Sequence, residues 1–181
     1  ADFGASEVNE MAGNDSLNTA QDLELGDWGQ NFNEEIGDTT ENTSETIPHI
    51  TAHATGDNTI DYFSFDVTGE MLEESSGSVT AIFDIDHGFE SGDPALWLSQ
   101  LNLIGPDGGV INREGMVVND WWEGIVSHPA IGETGSSTWL DSYLEVELTE
   151  AGTYFIELKD LFNYSNGFGV LDGVDYDLHV S

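Results

Sequence analysis

The sequence predicts an all-β fold, an antiparallel β-sandwich, and three observations carry that expectation. Seven short segments alternate apolar and polar residues or are rich in β-branched and aromatic ones. Gly and Asp punctuate the joins between them. Only "NDSLNTAQDLEL" (14–25) has the pattern of a helical turn, with Asp15 or Ser16 as its cap. Many short strands separated by turn signals suit a sandwich.

In order, the strand segments are "TIPHITAH" (46–53), "IDYFSFDVT" (60–68), "SVTAIFDID" (78–86), "ALWLSQLNLIG" (95–105), "STWLDSYLEVELT" (137–149), "GTYFIELKD" (152–160) and "VDYDLHVS" (174–181). In the third, Val79, Ala81, Phe83 and Ile85 take one face while Thr80, Ile82, Asp84 and Asp86 take the other. In the sixth, Tyr154, Ile156 and Leu158 oppose Thr153, Phe155, Glu157 and Lys159. In the last, Tyr176, Leu178 and Val180 face inward and Asp175, Asp177 and His179 outward. "GPDGG" (105–109) and "TEAGT" (149–153) read as hairpin turns. Residues 1–13 and 26–45 read as irregular, the latter as an exposed acidic loop. Residues 112–136 read mostly as a loop, too apolar at Trp121, Trp122, Ile125 and Val126 for plain disorder. The 181 residues suit one domain, and no internal repeat is visible.

Charge narrows the function. Asp and Glu number 36 against 2 Lys and Arg, for a formal net charge of -34. Nucleic acid and anionic membranes are excluded as partners, because binding them needs basic patches. The acidity fits a salt-adapted surface or a chain that expects divalent cations. The acids cluster with Asn and Gly in turns rather than along helix faces, which favours Ca²⁺. No cysteine is present, so disulfides, thiolate metal sites and Cys nucleophiles are all ruled out. Neither a signal peptide nor a bilayer-spanning run is apparent. The chain looks like a module of a longer polypeptide.

Two constellations suit oxygen-loving cations. Asn14 and Asp15, with Asp57 and Asp61, flank the second strand segment. They can meet only if the N-terminal segment folds back on the start of that strand; otherwise each is a cap or turn residue. Asp84 and Asp86 share a strand face, about 7 Å apart. A cation held there with one or two of Asp93, Asp120, Glu133 and Asp141 would answer their repulsion; a solvated face is the alternative. No EF-hand loop occurs. Trp121 and Trp122 suit stacking on a sugar or anchoring a peptide side chain, and Arg113 suits a carboxylate, of a ligand or of a neighbouring acid. Catalysis finds little support. His49, His53, His87, His128 and His179 form no helical zinc motif, and no Gly-x-Ser-x-Gly elbow appears.

"NDSLNTAQDL", "DNTIDYFSFDVT", "SVTAIFDIDHG", "LWLSQLNLIGPDGGVI", "GETGSSTWLDSYLEVELTEAGTYFIEL" and "YDLHVS" follow one another in a familiar order. Together, over residues 10–181, they resemble the bacterial pre-peptidase C-terminal-like β-sandwich domain, closest to the Ca²⁺-dependent peptide-binding module of large RTX-type adhesins. The resemblance implies a jelly-roll-like sandwich with Ca²⁺-stabilised loops, on the bacterial cell surface. It implies a module that binds the C-terminal end of a peptide or protein, a Ca²⁺ helping to hold the terminal carboxylate; with no nucleophile or base singled out, the chain reads as a non-enzymatic, monomeric module. By position, Asp15 and Asp61 match an N-terminal acidic site, Asp84 and Asp86 the "D-I-D" strand, and Asp141 the "L-D-S" turn. The chain departs at "SNGFGVLDGVDYDL" (165–178), a longer join, and at "VVNDWWEGIVSHPAIGETGS" (117–136), where Glu133 stands near a usual Asp. A carbohydrate-binding module is the alternative; a structural spacer or protease accessory domain is a further one.

Overall fold

A computed structural model describes residues 6–36, 42–86, 99–111, 143–160 and 163–181. These form an all-β sandwich of nine strands: β1 (Glu7–Asn9), β2 (Gln21–Asp22), β3 (Ile50–Thr55), β4 (Asp61–Val67), β5 (Val79–Asp86), β6 (Ser99–Ile104), β7 (Tyr143–Leu148), β8 (Gly152–Asp160) and β9 (Asp175–Val180). One short helix, α1 (Gly69–Glu74), follows β4 and starts at a Thr68 cap that accepts from the Met71 N–H. Among the described residues no helix is long and apolar enough to cross a membrane.

The strands alternate between sheets. A five-stranded sheet has the order β1-β3-β9-β5-β7 and a four-stranded sheet the order β2-β4-β8-β6. Every odd strand lies in the first and every even strand in the second, the jelly-roll solution to joining antiparallel sheets. The central pairings are antiparallel, whereas β1 and β2 add to β3 and β4 in parallel. Period-two alternation puts Ile50, Ala52 and Ala54, Phe83 and Ile85, and Tyr176, Leu178 and Val180 on the inner face of the first sheet, all buried. Phe63, Phe65, Tyr154, Ile156 and Leu158 answer from the second. Phe65 bridges the sheets, with ring centroids 5.5 Å from Phe83 and 5.6 Å from Tyr154.

All seven expected strand segments contain a strand, and four local readings need correction. "TEAGT" is not a hairpin: it joins β7 in one sheet to β8 in the other. The Tyr154 hydroxyl donates to the Glu150 carbonyl across this arch, and Gly152 sits where a Cβ would meet Pro106 at 2.7 Å. Turn residues signal a reversal, not which sheet receives the chain. "GPDGG" is a hairpin turn, returning to an Ile104–Val110 bridge. Residues 7–9 are a strand rather than irregular, because β3 offers them an open edge. The helical turn at 14–25 is two 3₁₀ turns, 17–19 capped by Ser16 and 23–25 capped by Asp22. The 26–45 segment is irregular but not simply exposed: among its described residues Ile36 and Ser44 are buried.

Candidate metal centre

The N-terminal segment folds back on β4, the condition on which the first constellation depends. The Tyr62 N–H donates to the Asn14 carbonyl at 2.9 Å, which places "NDS" against the start of that strand. Asn14 and Asp61 are both buried. Asp15 and Asp57 converge on one hydroxyl: Thr59 Oγ1 lies 2.9 Å from Asp15 Oδ1 and 2.5 Å from Asp57 Oδ1. A hydroxyl has one hydrogen, so it satisfies one of these carboxylates at a time. Asp57 also caps its own turn by accepting from the Thr59 N–H.

Besides Thr59, two residues missing from the sequence reading complete the cluster. Glu10 accepts from Asn14 Nδ2 at 3.0 Å through one oxygen and from the Thr55 N–H at 3.0 Å through the other. Both oxygens are engaged, so Glu10 positions the Asn14 amide and the end of β3. Tyr176, fully inside the sandwich, donates its hydroxyl to Asp61 Oδ2 at 2.7 Å. Glu10 precedes Asn14 by four residues in a turn, a faint local signal. Tyr176 lies 115 residues from Asp61 and left none.

The electrostatics follow. Burial first, then the charge of Glu10, with Asp57 and Asp15 adding, push the Asp61 carboxyl up to about 8 against the hydrogen bond from Tyr176. Burial likewise raises Glu10. The donors are all oxygen, the chemistry of a hard cation such as Ca²⁺. Among the described residues no three His, Asp or Glu side chains stand in a metal-ligating arrangement. The carboxylates are gathered but hydrogen-bonded to Thr59 and Tyr176. The expected oxygen donors Asn14, Asp15, Asp57 and Asp61 thus lie in one region, with Glu10 and Tyr176 behind them.

The long join at 165–178 buttresses this site. Asn58 and Gly56 donate backbone N–H groups to Val170 and Val174, and Val170 and Gly173 donate back to Thr59 and Gly56. Gly169 lies so close that a Cβ there would sit 2.1 Å from the Asn58 carbonyl oxygen.

Asp84 and Asp86 belong to a different place. They lie on the outer face of β5, while Asp61 reaches Tyr176 on the inner side of the sandwich. They are not solvated: Asp84 is 4% exposed and Asp86 0%. In register, β9 sets His179 opposite Asp84, and His179 Nε2 stands 3.2 Å from Asp86 Oδ2. Thr51 Oγ1 holds the other ring nitrogen at 2.8 Å, and Glu35 Oε2 lies 4.0 Å from Nε2. His179 thus sits within ion-pair distance of Asp86 inside the fold itself. His179 faces outward as its alternation required, but it is buried.

Asp93, Asp120, Glu133, Asp141, Arg113, Trp121 and Trp122 lie outside the described residues. Lys159 takes a structural role, pairing with Glu157 at 2.5 Å on the outer face of β8, where Tyr62 and Asn102 also donate to that carboxylate. Comparison with protein-family models and with curated proteins finds no match for this chain.

Proposed function

We propose that the chain is a Ca²⁺-binding β-sandwich module of an extracellular bacterial adhesin, and that it recognises a peptide or protein C-terminus. The observation that carries the cation is the convergence of Asp15 and Asp57 on the single Thr59 hydroxyl beside buried Asn14 and Asp61. Removing this repulsion is what a divalent ion with oxygen ligands does. The ligand half rests on charge and on the resemblance. A surface at -34 repels an anionic terminus. A Ca²⁺ with an open position inverts the local field and accepts a carboxylate. Arg113 and the Trp121–Trp122 pair are the side chains best suited to assist.

A structural role for the ion is the second reading, favoured by one observation. Asn14 and Asp15 lie on the segment that supplies an edge strand to each sheet, so an ion there ties β1 and β2 to β4. Two measurements separate the readings. A thermal melt should rise markedly with Ca²⁺, since ligand linkage stabilises only the folded state; an unchanged melt refutes both. Binding to a peptide array in Ca²⁺ should vanish when the peptide C-termini are amidated. Silence on peptide arrays with an intact Ca²⁺ response leaves the structural role, and signal on a glycan array instead points to carbohydrate.

A further inference from the structure

We propose that His53 is a proton-operated clamp that holds edge strand β1 onto the five-stranded sheet. β1 is three residues long and pairs in parallel with β3, setting Asn9 beside His53. So short a strand contributes few backbone bonds of its own. From the middle strand of the trio, the His53 ring reaches both ways. Nδ1 lies 2.6 Å from Asp177 Oδ1 on β9, and Nε2 lies 3.6 Å from Glu7 Oε2 on β1.

The chemistry of imidazole makes this arrangement two-state. Protonated, the ring has two N–H donors and serves both carboxylates. Neutral, it has one, and the shorter contact to Asp177 keeps it. Nε2 then turns a lone pair toward Glu7, and attraction becomes repulsion. The surrounding groups leave this switch intact. Asp175 on β9 is engaged by the Thr55 hydroxyl at 2.6 Å, and the Glu10 carboxylate by Asn14 and Thr55. Asn9 is uncharged. Among the described residues, Glu7 and Asp177 are the charged groups paired with the ring, and His179, two residues along β9, is held by the Thr51 hydroxyl. Burial lowers the proton affinity of His53, but Asp177 and then Glu7 outweigh it and hold it above the ordinary value. The clamp is closed below the ordinary imidazole value and opens as pH rises through the elevated one. Only the part of the elevation that Glu7 supplies bears on docking, because the Asp177 contact persists when β1 leaves; each unit of that part corresponds to about a tenfold change in the docking equilibrium.

Amide hydrogen exchange on the whole chain, at fixed ionic strength and with a chelator present, tests this independently of the Ca²⁺ reading. The reporters are the Thr51 N–H, bonded to the Ser6 carbonyl, and the Glu10 N–H, bonded to the His53 carbonyl. Amides of β8 serve as the reference. In the unmodified chain, protection factors of both reporters should fall further than those of β8 as pH rises through the His53 ring titration. His53→Gln should hold them low at every pH, and Glu7→Gln should flatten the dependence while keeping β1 docked. Reporter protection that ignores the ring titration, or a His53→Gln profile matching the unmodified one, overturns the clamp. So does a ring midpoint below that of an unstructured peptide.

Discussion

Asp61 is where this protein's acidity becomes a stability statement. Its carboxyl ordinarily titrates at 3.8 and is pushed up to about 8 by burial and the neighbouring acids. Between those values the folded state holds a proton that the unfolded chain has released. The contribution is therefore fully present below pH 4 and is lost as pH rises toward 8. For a group 1% exposed, the loss is on the order of a few kcal/mol. In chelator, the melting temperature should fall across this window. Asp61→Asn, which keeps an acceptor for Tyr176, should flatten the fall, and an unchanged slope would place the dependence elsewhere. Asp57→Asn tests the cation directly. It removes one of the two carboxylates that share Thr59, so it should raise the melting temperature in chelator while shrinking the rise that Ca²⁺ produces. Calorimetry with and without Ca²⁺ reads both. Of these residues, Asn14, Asp15, Asp57 and Asp61 were legible as turn oxygens beside a strand. Glu10 and Thr59 were not: the place of Glu10 four residues before Asn14 is a faint signal among so many acids, and nothing local distinguishes Thr59 from the other hydroxyls.

Among the elements, the join before β9 explains why the Asp57 turn holds its shape. Its backbone exchanges four hydrogen bonds with residues 56–59, and Gly169 permits the approach. Gly169→Ala forces that turn away from the join and should cost about 1–3 kcal/mol, a range typical of overpacking. The Ca²⁺-induced rise in melting temperature should weaken in parallel; a variant that loses stability yet keeps the full Ca²⁺ response would uncouple the join from the site. The join looked only like an oversized loop in the sequence. Its length makes sense once the end of β3 and the starts of β4 and β9 are seen to meet. The buried outer face of β5 and β9 carries the same lesson. Alternation correctly put Asp84, Asp86 and His179 outward, but outward is not exposed.

The whole molecule carries -34 on a 181-residue chain, and most of that charge repels itself. Two effects must be separated at this scale. Screening depends on ionic strength alone, whereas a specific site depends on the ion. Sodium chloride should raise the melting temperature gradually. Calcium chloride at equal ionic strength should raise it further, and at millimolar concentrations where sodium does little. Coincident curves would assign the acidity to salt adaptation alone.

What the sequence determined by itself was the seven longer strands and the face each side chain takes, because both follow from a two-residue period that a segment of that length displays. It also determined the chemistry on offer: oxygen donors in excess, almost no cations and no thiols. Only the tertiary structure decided partnership. Tyr176 meets Asp61 across 115 residues, and Thr51 meets His179 across 128. Alternation specifies a face but not a neighbour; the neighbour depends on strand order and register, which are set by the packing of the whole sandwich.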